Sequence, residues 1–557
     1  FLHKVEKKTS KLKFTDEQQY AYDKISFAMD KNKYGEYLIY GVTGSGKTEI
    51  YLQLIENALR NNKTSIMLVP EISLTPQTVD RFLSRFGEDK IAVLHSKLSA
   101  GERFDQWKKI ERGQAKIVIG ARSAIFAPVK DLGLIIIDEE HDESYKSENA
   151  PRYNAKEIAK YLAEEKQIPL VLGSATPDMN TYYKAVNGEI ELLELTKRAN
   201  QMELPEVKIV DLRQELAHGN KSMISTELKA EIEENIKNKK QTILFLNRRG
   251  FSTFIMCRDC GYTAKCKNCN ITLTYHLKEN KLKCHYCGYE IRAITVCPEC
   301  GSKNIRYFGT GTQKLEEQIK TLFPQASTIR MDMDTVTKKN SHEEILNKFK
   351  KEGIDILIGT QMVVKGHDFP NVTLVGVIAA DSSLNIDDYR AHERTFQTLT
   401  QVAGRAGRGK DKGKVIIQTY NPDAFCIQYA KKQDYKVFYN TEIMLRKQLR
   451  YPPFCDIILV GISSENKNEI VNVSKKIYDN MKEKIKREDL KILLYKPVPA
   501  PIDRIKNKFR WRIIVKCKLD EKITKSLKNT IEKVEKEIKN TKYETRIIVD
   551  VNPSNML

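Results

Sequence analysis

The chain has 557 residues, 41% of them hydrophobic and 30% charged, as in soluble proteins of about three or four domains. Its longest apolar runs, such as Leu134–Ile137, fall far short of the ~20 residues that cross a bilayer, and no signal-peptide pattern stands at the start of the sequence. Both observations argue against membrane insertion and predict a cytoplasmic protein. A surplus of 94 Lys and Arg over 73 Asp and Glu suits a polyanionic partner such as nucleic acid, but solvated surface lysines explain it as well.

Short apolar strands alternate with amphipathic helices from Thr15 to about Leu195, and a second set of the same kind begins at Thr242. The predicted strands are Tyr37–Tyr40, Ser65–Val69, Ile117–Ile119, Leu134–Ile137 and Leu170–Leu172, then Thr242–Leu246, Asp355–Ile358, Leu374–Ile378 and Val415–Gln418. Apolar strands that are each followed by a helix predict parallel sheets covered on both faces.

Two further segments complete the predicted α/β architecture. A Cys-rich stretch interrupts the second set, and after Phe454 alternating strands at Ile457–Ile462, Trp511–Lys516 and Thr545–Val549 flank Lys/Glu-rich helices, as in a small α+β domain. The expected boundaries are a linker at 1–13, a first lobe at 14–200, a second lobe at 201–250 and 307–445, the insertion at 251–306 and a C-terminal domain at 446–557.

A complete phosphate-loop pattern follows the first predicted strand and opens the next helix. It comprises Gly41, Val42, Thr43, Gly44, Ser45, Gly46, Lys47 and Thr48. In such a loop the glycines let backbone N–H groups approach the phosphates, the lysine reaches the β- and γ-phosphate oxygens, and the hydroxyl holds Mg²⁺. Because the strand and the helix flank the pattern as required, the sequence predicts a site for ATP and Mg²⁺.

Two carboxylates, Asp138 and Glu139, follow the apolar strand Leu134–Ile137. A carboxylate at the end of a strand beside a phosphate loop can hold Mg²⁺ through water, and its neighbour can polarise the attacking water. We assign the metal role to Asp138 and the general-base role to Glu139. An exposed acidic turn is the alternative.

Eight of the eleven cysteines form four C-x-x-C pairs. These are Cys257 and Cys260, Cys266 and Cys269, Cys284 and Cys287, and Cys297 and Cys300. Four such half-sites predict two structural Zn²⁺ ions, each held by four cysteines, with an iron–sulfur cluster as the alternative. Spacing alone leaves three ways to pair the half-sites. His285 is expected to be an exposed residue between two ligands rather than a ninth ligand.

From Phe14 to Arg408 the motifs follow the order found in superfamily 2 helicases, which the chain therefore resembles. After the two motifs above come Gly173–Pro177, Gly359–Phe369 and Gln401–Arg408. The resemblance implies two RecA-like lobes, with Gln401, Arg405 and Arg408 of the second lobe facing ATP on the first. A guanidinium at the γ-phosphate stabilises phosphoryl transfer. A solvated basic face is the alternative for the two arginines.

Weaker matches within the same resemblance concern four polar residues. Gln18, in a segment similar to the Q-motif, is expected at the adenine edge, and Asp368 near the ribose or the γ-phosphate. Ser174 and Thr176 resemble the motif that couples hydrolysis to lobe movement. Each of these side chains could instead serve only to stabilise a turn.

A superfamily 2 motor with eight cysteines in its second lobe resembles the bacterial replication-restart helicases. The segment that contains Tyr145, Lys146, Arg152 and Tyr153 is similar to the aromatic-rich loop of that family. The resemblance implies that this loop binds DNA, with the tyrosines stacking on bases and the cations meeting phosphates. Packing of the two tyrosines against a helix is the alternative.

The same resemblance implies two features that the residues leave open. The half-sites would pair in a nested way, the outer two pairs on one zinc and the inner two on the other. Family members also carry a domain that holds the DNA 3′ end and a winged helix ahead of the motor. Neither precedes Phe14, so we expect this chain to be a piece of a longer protein.

The implied function is that of an ATP-dependent 3′→5′ DNA helicase, which remodels stalled or collapsed forks and directs primosome assembly for origin-independent restart. The implied partners are forked and single-stranded DNA, single-strand DNA-binding protein and helicase-loader proteins, and a monomer is expected. Two rival interpretations remain: a translocase or RNA helicase that never separates DNA strands, and an assembly scaffold whose ATPase is vestigial.

Overall fold

The fold is that of a computed structural model, which describes residues 11–199, 204–246, 254–277, 279–308, 311–332, 341–360, 369–407, 411–538 and 545–556. Two large parallel sheets covered by helices confirm the predicted α/β class. Within these ranges, no helix is both long enough and apolar enough to cross a bilayer.

A seven-stranded parallel sheet forms the first lobe. Its strands are β1 Gly35–Gly41, β2 Thr64–Leu68, β3 Ile91–Leu94, β4 Ile117–Gly120, β5 Leu132–Asp138, β6 Pro169–Ser174 and β7 Glu191–Leu195. They lie in the order β3-β4-β2-β5-β6-β1-β7. Because β6 lies between β5 and β1, the loops that follow these three strands meet at one edge of the sheet, where ligands of open α/β folds bind.

Six helices cover the two faces of this sheet. They are α1 Asp16–Asp30, α2 Lys47–Arg60, α3 Pro76–Phe86, α4 Ala100–Glu111, α5 Ala155–Lys166 and α6 Met179–Val186. The strands alternate between two hydrophobic clusters: Ile135 and Ile137 pack in one, and Leu134 and Ile136 pack in the other. Both faces are therefore buried, as the continuous apolar run of β5 predicts.

The chain next forms two strands of the second lobe and then leaves it for the Cys-rich insertion. The lobe strands are β8 Glu206–Asp211 and β9 Gln241–Phe245. The insertion contains β10 Phe254–Cys257, β11 Thr274–His276, β12 Lys281–Lys283, β13 Glu290–Arg292 and β14 Ile305–Phe308. Strands β10 and β14 pair with each other and close the insertion at its base, while β11, β12 and β13 form a small antiparallel sheet.

Four more strands complete the second lobe. They are β15 Thr328–Met331, β16 Ile356–Gly359, β17 Val372–Val377 and β18 Lys414–Thr419. The parallel order is β15-β16-β9-β17-β18-β8. The helices are α7 Leu212–Ala217, α8 Thr226–Lys237, α9 Thr312–Leu322, α10 Ser341–Lys351, α11 Asp381–Leu384, α12 Ala391–Ala403, α13 Phe425–Lys432 and α14 Tyr435–Gln448.

The C-terminal domain is an antiparallel sheet with two long helices. Its strands are β19 Asp456–Ser464, β20 Leu493–Leu494, β21 Val498–Ile505, β22 Lys508–Cys517 and β23 Arg546–Val551. Helices α15 Lys467–Glu488 and α16 Glu521–Ile538 share one hydrophobic cluster with this sheet. The predicted α+β character of this part of the chain is confirmed.

Candidate functional site

The phosphate loop curls between the end of β1 and the start of α2. Gly44 and Gly46 have φ angles of 83° and 82°, in the left-handed region that favours glycine. Lys47 Nζ donates a hydrogen bond of 2.8 Å to the carbonyl of Gly41. Burial lowers the pKa of Lys47, while the charges of Glu139 and Asp138 act in the opposite direction. The loop thus places a lysine and a helix N-terminus where a phosphate can bind.

Gln18 is buried beneath this loop. Its Nε2 donates to the carbonyl of Ser45 at 2.7 Å, and its Oε1 accepts from the amide of Thr15 at 2.9 Å. A Cβ on Gly46 would lie 2.3 Å from Gln18 Nε2, so only glycine fits there. Both ends of the Gln18 amide are engaged in this conformation, and the side chain braces the phosphate loop.

Asp138 and Glu139 lie at the end of β5, beside Lys47. The hydroxyl of Tyr51 donates to Asp138 Oδ1 at 3.1 Å, and the hydroxyl of Tyr145 donates to the carbonyl of Asp138 at 2.6 Å. Burial, followed by the charge of Glu139, raises the pKa of Asp138 to about 6. Glu139 has a φ of 46°, a strained value for a residue with a side chain, and such strain is concentrated at functional sites.

His141 connects this acidic pair to the second lobe. Its Nδ1 lies 2.7 Å from Ser174 Oγ and 3.6 Å from Glu139 Oε2, and its Nε2 lies 2.8 Å from Gln401 Nε2. An amide nitrogen only donates, so His141 Nε2 is the acceptor and the ring proton lies on Nδ1. Ser174 Oγ also accepts from the amide of Thr176 at 2.9 Å. A polar chain therefore runs from the acidic pair to a side chain of α12.

The end of α12 brings the second lobe onto the phosphate loop. A Cβ on Gly404 would lie 2.8 Å from Thr43 Cγ2, so Gly404 packs directly against the side chain of Thr43. Half-buried Arg405 follows directly. The structure thus brings Gln401 to His141 and Gly404 to Thr43 of the phosphate loop. The role of Arg405 at the nucleotide stays a prediction, and Arg408 and Asp368 lie outside the described residues.

A buried charge network that sequence reasoning missed lies next to this contact. Glu393 Oε1 accepts from the amide of Met179 in the first lobe at 2.9 Å, and Glu393 Oε2 pairs with Arg446 at 2.6 Å. Arg446 also pairs with Glu442 at 3.0 Å and is 2% exposed. Buried charges persist only when they are paired, so this network fixes α12 and α14 against the loop that follows Thr176. The Glu442–Arg446 spacing of four residues was its only signal in the sequence.

The eight clustered cysteines form two separate groups in the insertion. One contains Cys257, Cys260, Cys297 and Cys300, and the other contains Cys266, Cys269, Cys284 and Cys287, with all sulfurs of a group within 4.8 Å of one another. The Sγ atoms of Cys260 and Cys297 are 3.5 Å apart, and those of Cys257 and Cys300 are 3.7 Å apart. A tetrahedral zinc with Zn–S bonds of about 2.3 Å separates its sulfurs by about 3.8 Å, so both groups fit zinc. The nested pairing implied by the family resemblance is the one observed.

The inner group packs against the C-terminal domain. Cys266, Cys269 and Cys284 share a hydrophobic cluster with residues of that domain, including Ile457, Ile514 and Met556. Arg512 donates two hydrogen bonds, of 2.9 and 2.7 Å, to the carbonyl of His285. The prediction that His285 is exposed is wrong: the side chain is 4% exposed because the C-terminal domain covers it.

The predicted DNA-binding loop is engaged within the protein. Tyr145 is 1% exposed and bonded to Asp138, so in this conformation it is not placed to stack on bases, contrary to expectation. Lys146 and Arg152 both pair with Asp550 of β23. Half-buried Tyr153 makes an edge contact with Phe126 at 5.0 Å. Contact of this loop with DNA stays a prediction.

Four family models match successive parts of the chain. They are described as "Type III restriction enzyme, res subunit" for residues 11–179, "PriA DNA helicase Cys-rich region (CRR) domain" for 266–292, "Helicase conserved C-terminal domain" for 295–410 and "Primosomal protein N C-terminal domain" for 447–554. Together they show helicase domains, a Cys-rich region and a primosomal C-terminal domain in one chain.

Curated relatives agree with this arrangement. The "Replication restart protein PriA" of Bacillus subtilis is 49% identical over 554 residues, which cover 100% of this chain and 68% of that protein. The chain belongs to the PriA family of replication restart proteins. The PriA of Synechocystis is 46% identical over 87% of this chain and 59% of its own length, and that of Haemophilus influenzae is 38% identical over 98% and 73%. Because the chain spans only part of these PriA proteins, what the whole relatives do applies to it only as a proposal.

Proposed function

We propose that this chain is an ATP-dependent 3′→5′ DNA helicase that remodels stalled or collapsed forks and directs primosome assembly for origin-independent restart. The observation that carries the motor part is the 2.8 Å contact between Gln401 and His141. It joins the second lobe to the acidic pair of the first, so a change at the nucleotide can alter how the lobes meet. Family membership supports the restart part.

In this proposal each residue of the site has a chemical role. Lys47 contacts the β- and γ-phosphates, and Thr48 and Asp138 hold Mg²⁺, which neutralises phosphate charge when bound. Glu139 accepts a proton from the attacking water. Arg405 and Arg408 stabilise the charge that develops on the γ-phosphate, and Gln401 of the same motif holds the second lobe to His141. Cysteine ligation without an open position gives the two zinc ions a structural role.

The cross-lobe contact makes a direct prediction for Gln401→Ala. Loss of one hydrogen bond of about 0.5–1.5 kcal/mol should slow ATP hydrolysis roughly 2- to 12-fold, with nucleotide affinity little changed, because the loss concerns lobe contact and not the phosphate loop. Steady-state phosphate release and titration with a fluorescent ATP analogue measure the two quantities.

Gln397→Ala is the matched control, one turn earlier on α12. Among the described residues, Gln397 Nε2 makes two long hydrogen bonds, 3.4 Å to the Thr176 carbonyl and 3.3 Å to Glu393. Its effect on hydrolysis should be the smaller of the two. Equal effects would show that the His141 contact has no special role.

The proposed partners are forked and single-stranded DNA, single-strand DNA-binding protein and helicase-loader proteins, with the chain acting as a monomer. A net charge of +21 supports a polyanionic substrate, and the helicase domains support movement along it. A strand lying across both lobes would advance as ATP binding closes the lobes and hydrolysis reopens them.

Strand-separation assays test the proposal. A DNA duplex with a 3′ tail, one with a 5′ tail and the RNA counterparts are each incubated with ATP, with Lys47→Ala protein as the inactive control. We expect release of the strand from the 3′-tailed DNA duplex alone. Hydrolysis without strand release would favour a translocase, separation of RNA would favour an RNA helicase, and full support of restart by Lys47→Ala would favour a scaffold.

A further inference from the structure

The loop that follows the acidic pair is held by the last strand of the C-terminal domain. Asp550 of β23 lies with Oδ1 3.0 Å from Lys146 Nζ and Oδ2 2.9 Å from Arg152 Nη1. Lys146 also donates to the carbonyl of Val551 at 2.8 Å. Asp550 is 5% exposed, so this is an enclosed contact and not a loose surface pair. One carboxylate thus bridges two cations that come from a different part of the chain.

The surroundings of this carboxylate are positively charged and aromatic. The pKa of Arg510 of β22 is lowered, mainly by burial and also by the positive charge of nearby Arg152. Arg122 donates to the carbonyl of Lys146 at 2.7 Å and lies over the ring of Tyr153. Next to that ring, Phe126 is 49% exposed. Cations beside accessible aromatic rings are the combination that binds the backbone and bases of a single strand.

The same loop is tied to the hydrolysis centre. Tyr145, which directly precedes Lys146, donates its hydroxyl proton to the carbonyl of Asp138. Glu143 of the loop forms an ion pair with Arg394 of α12. In turn, Arg390, just before α12, donates to the carbonyl of Pro553 at 2.9 Å. The segment around Asp550 therefore touches the loop and the second lobe at once.

We propose that Asp550 occupies the place of a nucleic-acid phosphate between Lys146 and Arg152, so that the C-terminal domain and a single strand compete for this loop. The inference rests on the proposed function, whose strand site it regulates. Exchange of one anion for another preserves the charge-assisted hydrogen bonds of both cations, and release of counterions from the strand favours the exchange. When Asp550 leaves, the loop that contains Lys146 and Arg152 is free to move. Because Tyr145 of this loop is bonded to the carbonyl of Asp138, the backbone of Asp138 can then move as well.

The variant D550N tests the competition because the amide keeps the shape of the carboxylate and removes its charge. The dissociation constant for a fluorescent oligothymidine, measured by anisotropy at two salt concentrations, should fall ~3- to 10-fold, and ATP hydrolysis without DNA should rise. Glu521→Gln removes an equal charge from an exposed position of the same domain and should change neither. In a Lys146→Ala/Arg152→Ala background, D550N should have no effect on affinity.

A second measurement needs no nucleic acid. Amide hydrogen exchange in residues 142–153 should be faster in D550N than in wild type or Glu521→Gln, with zinc content and the thermal midpoint showing that the fold is retained. If D550N fails to fold, Lys146→Ala breaks the same contact from the other side and should speed exchange in β23.

The outcomes separate this inference from the proposed function. Three outcomes would overturn the role of Asp550. D550N could bind the oligothymidine no more tightly than Glu521→Gln, its gain in affinity could persist in the Lys146→Ala/Arg152→Ala background, or no variant could bind the strand. Failure of wild type to separate a 3′-tailed duplex would overturn the proposed function, but it leaves a gain of affinity in D550N intact.

Discussion

Replacing Glu139 with glutamine is expected to slow ATP hydrolysis by about 100-fold or more, because an amide cannot accept the proton that a general base removes from the attacking water. The amide has the shape of the carboxylate, so nucleotide affinity should stay close to that of wild type. Phosphate release at saturating single-stranded DNA gives the first quantity, and titration with a fluorescent ATP analogue gives the second.

The adjacent Glu140 is a matched control, because it carries the same group in a different environment. It is 0% exposed, accepts from the amide of Asp178 at 2.7 Å and pairs with Lys156 at 2.9 Å. Glu140→Gln leaves Lys156 without its carboxylate, which should cost about 3–5 kcal/mol of stability and lower the thermal midpoint. Hydrolysis per folded molecule should change far less than in Glu139→Gln. The reverse ranking would contradict the assignment of Glu139.

Replacing Cys266 with serine is expected to release one of two zinc ions and to loosen the insertion from the C-terminal domain. Zinc binding to zinc-finger peptides has an apparent free energy of about 10–16 kcal/mol. This is comparable to the free energy of unfolding of a typical domain, about 5–15 kcal/mol. Cys266 lies in the hydrophobic cluster that the insertion shares with the C-terminal domain, so its loss should lower the thermal midpoint strongly. Metal analysis and thermal unfolding measure the two effects.

Cys300→Ser is the control for the inner site. Cys300 is exposed and belongs to the outer group. Its replacement should release the other zinc with a smaller fall in the thermal midpoint. Replacing both Cys297 and Cys300 should spare DNA-stimulated hydrolysis and impair strand separation or assembly. Two zinc ions retained in Cys266→Ser would contradict the role of Cys266 as a zinc ligand.

Much of the fold could be predicted because it depends on local pattern. Strand β5 is apolar on both faces and could only be a central strand, and the phosphate loop requires the strand before it and the helix after it. Strands such as β3, with four residues, and β8, with alternating burial, carry too weak a pattern to stand out. The order of the strands depends on contacts between distant segments, which no local pattern encodes.

In the candidate site, too, residues in local motifs could be predicted and contacts between distant segments could not. Motif spacing indicated Lys47, Asp138 and the cysteines, because each lies in a short segment of fixed geometry. The contact of Lys146 with Asp550 spans some four hundred residues of sequence, and a lone acidic residue in a strand gives no signal of it. The burial of Tyr145 gave no signal for a related reason, since a tyrosine that stacks on bases and one that anchors a backbone carbonyl look alike in sequence.

In the proposed motor, nucleic acid and the nucleotide site influence each other through the contact of the two lobes. The most direct test is the rate of ATP hydrolysis by wild-type protein with and without single-stranded DNA, with Lys47→Ala measured in parallel. We expect strong stimulation by DNA in wild type and no hydrolysis in Lys47→Ala. Equal rates with and without DNA, or hydrolysis that survives the loss of Lys47, would rule out this coupled motor.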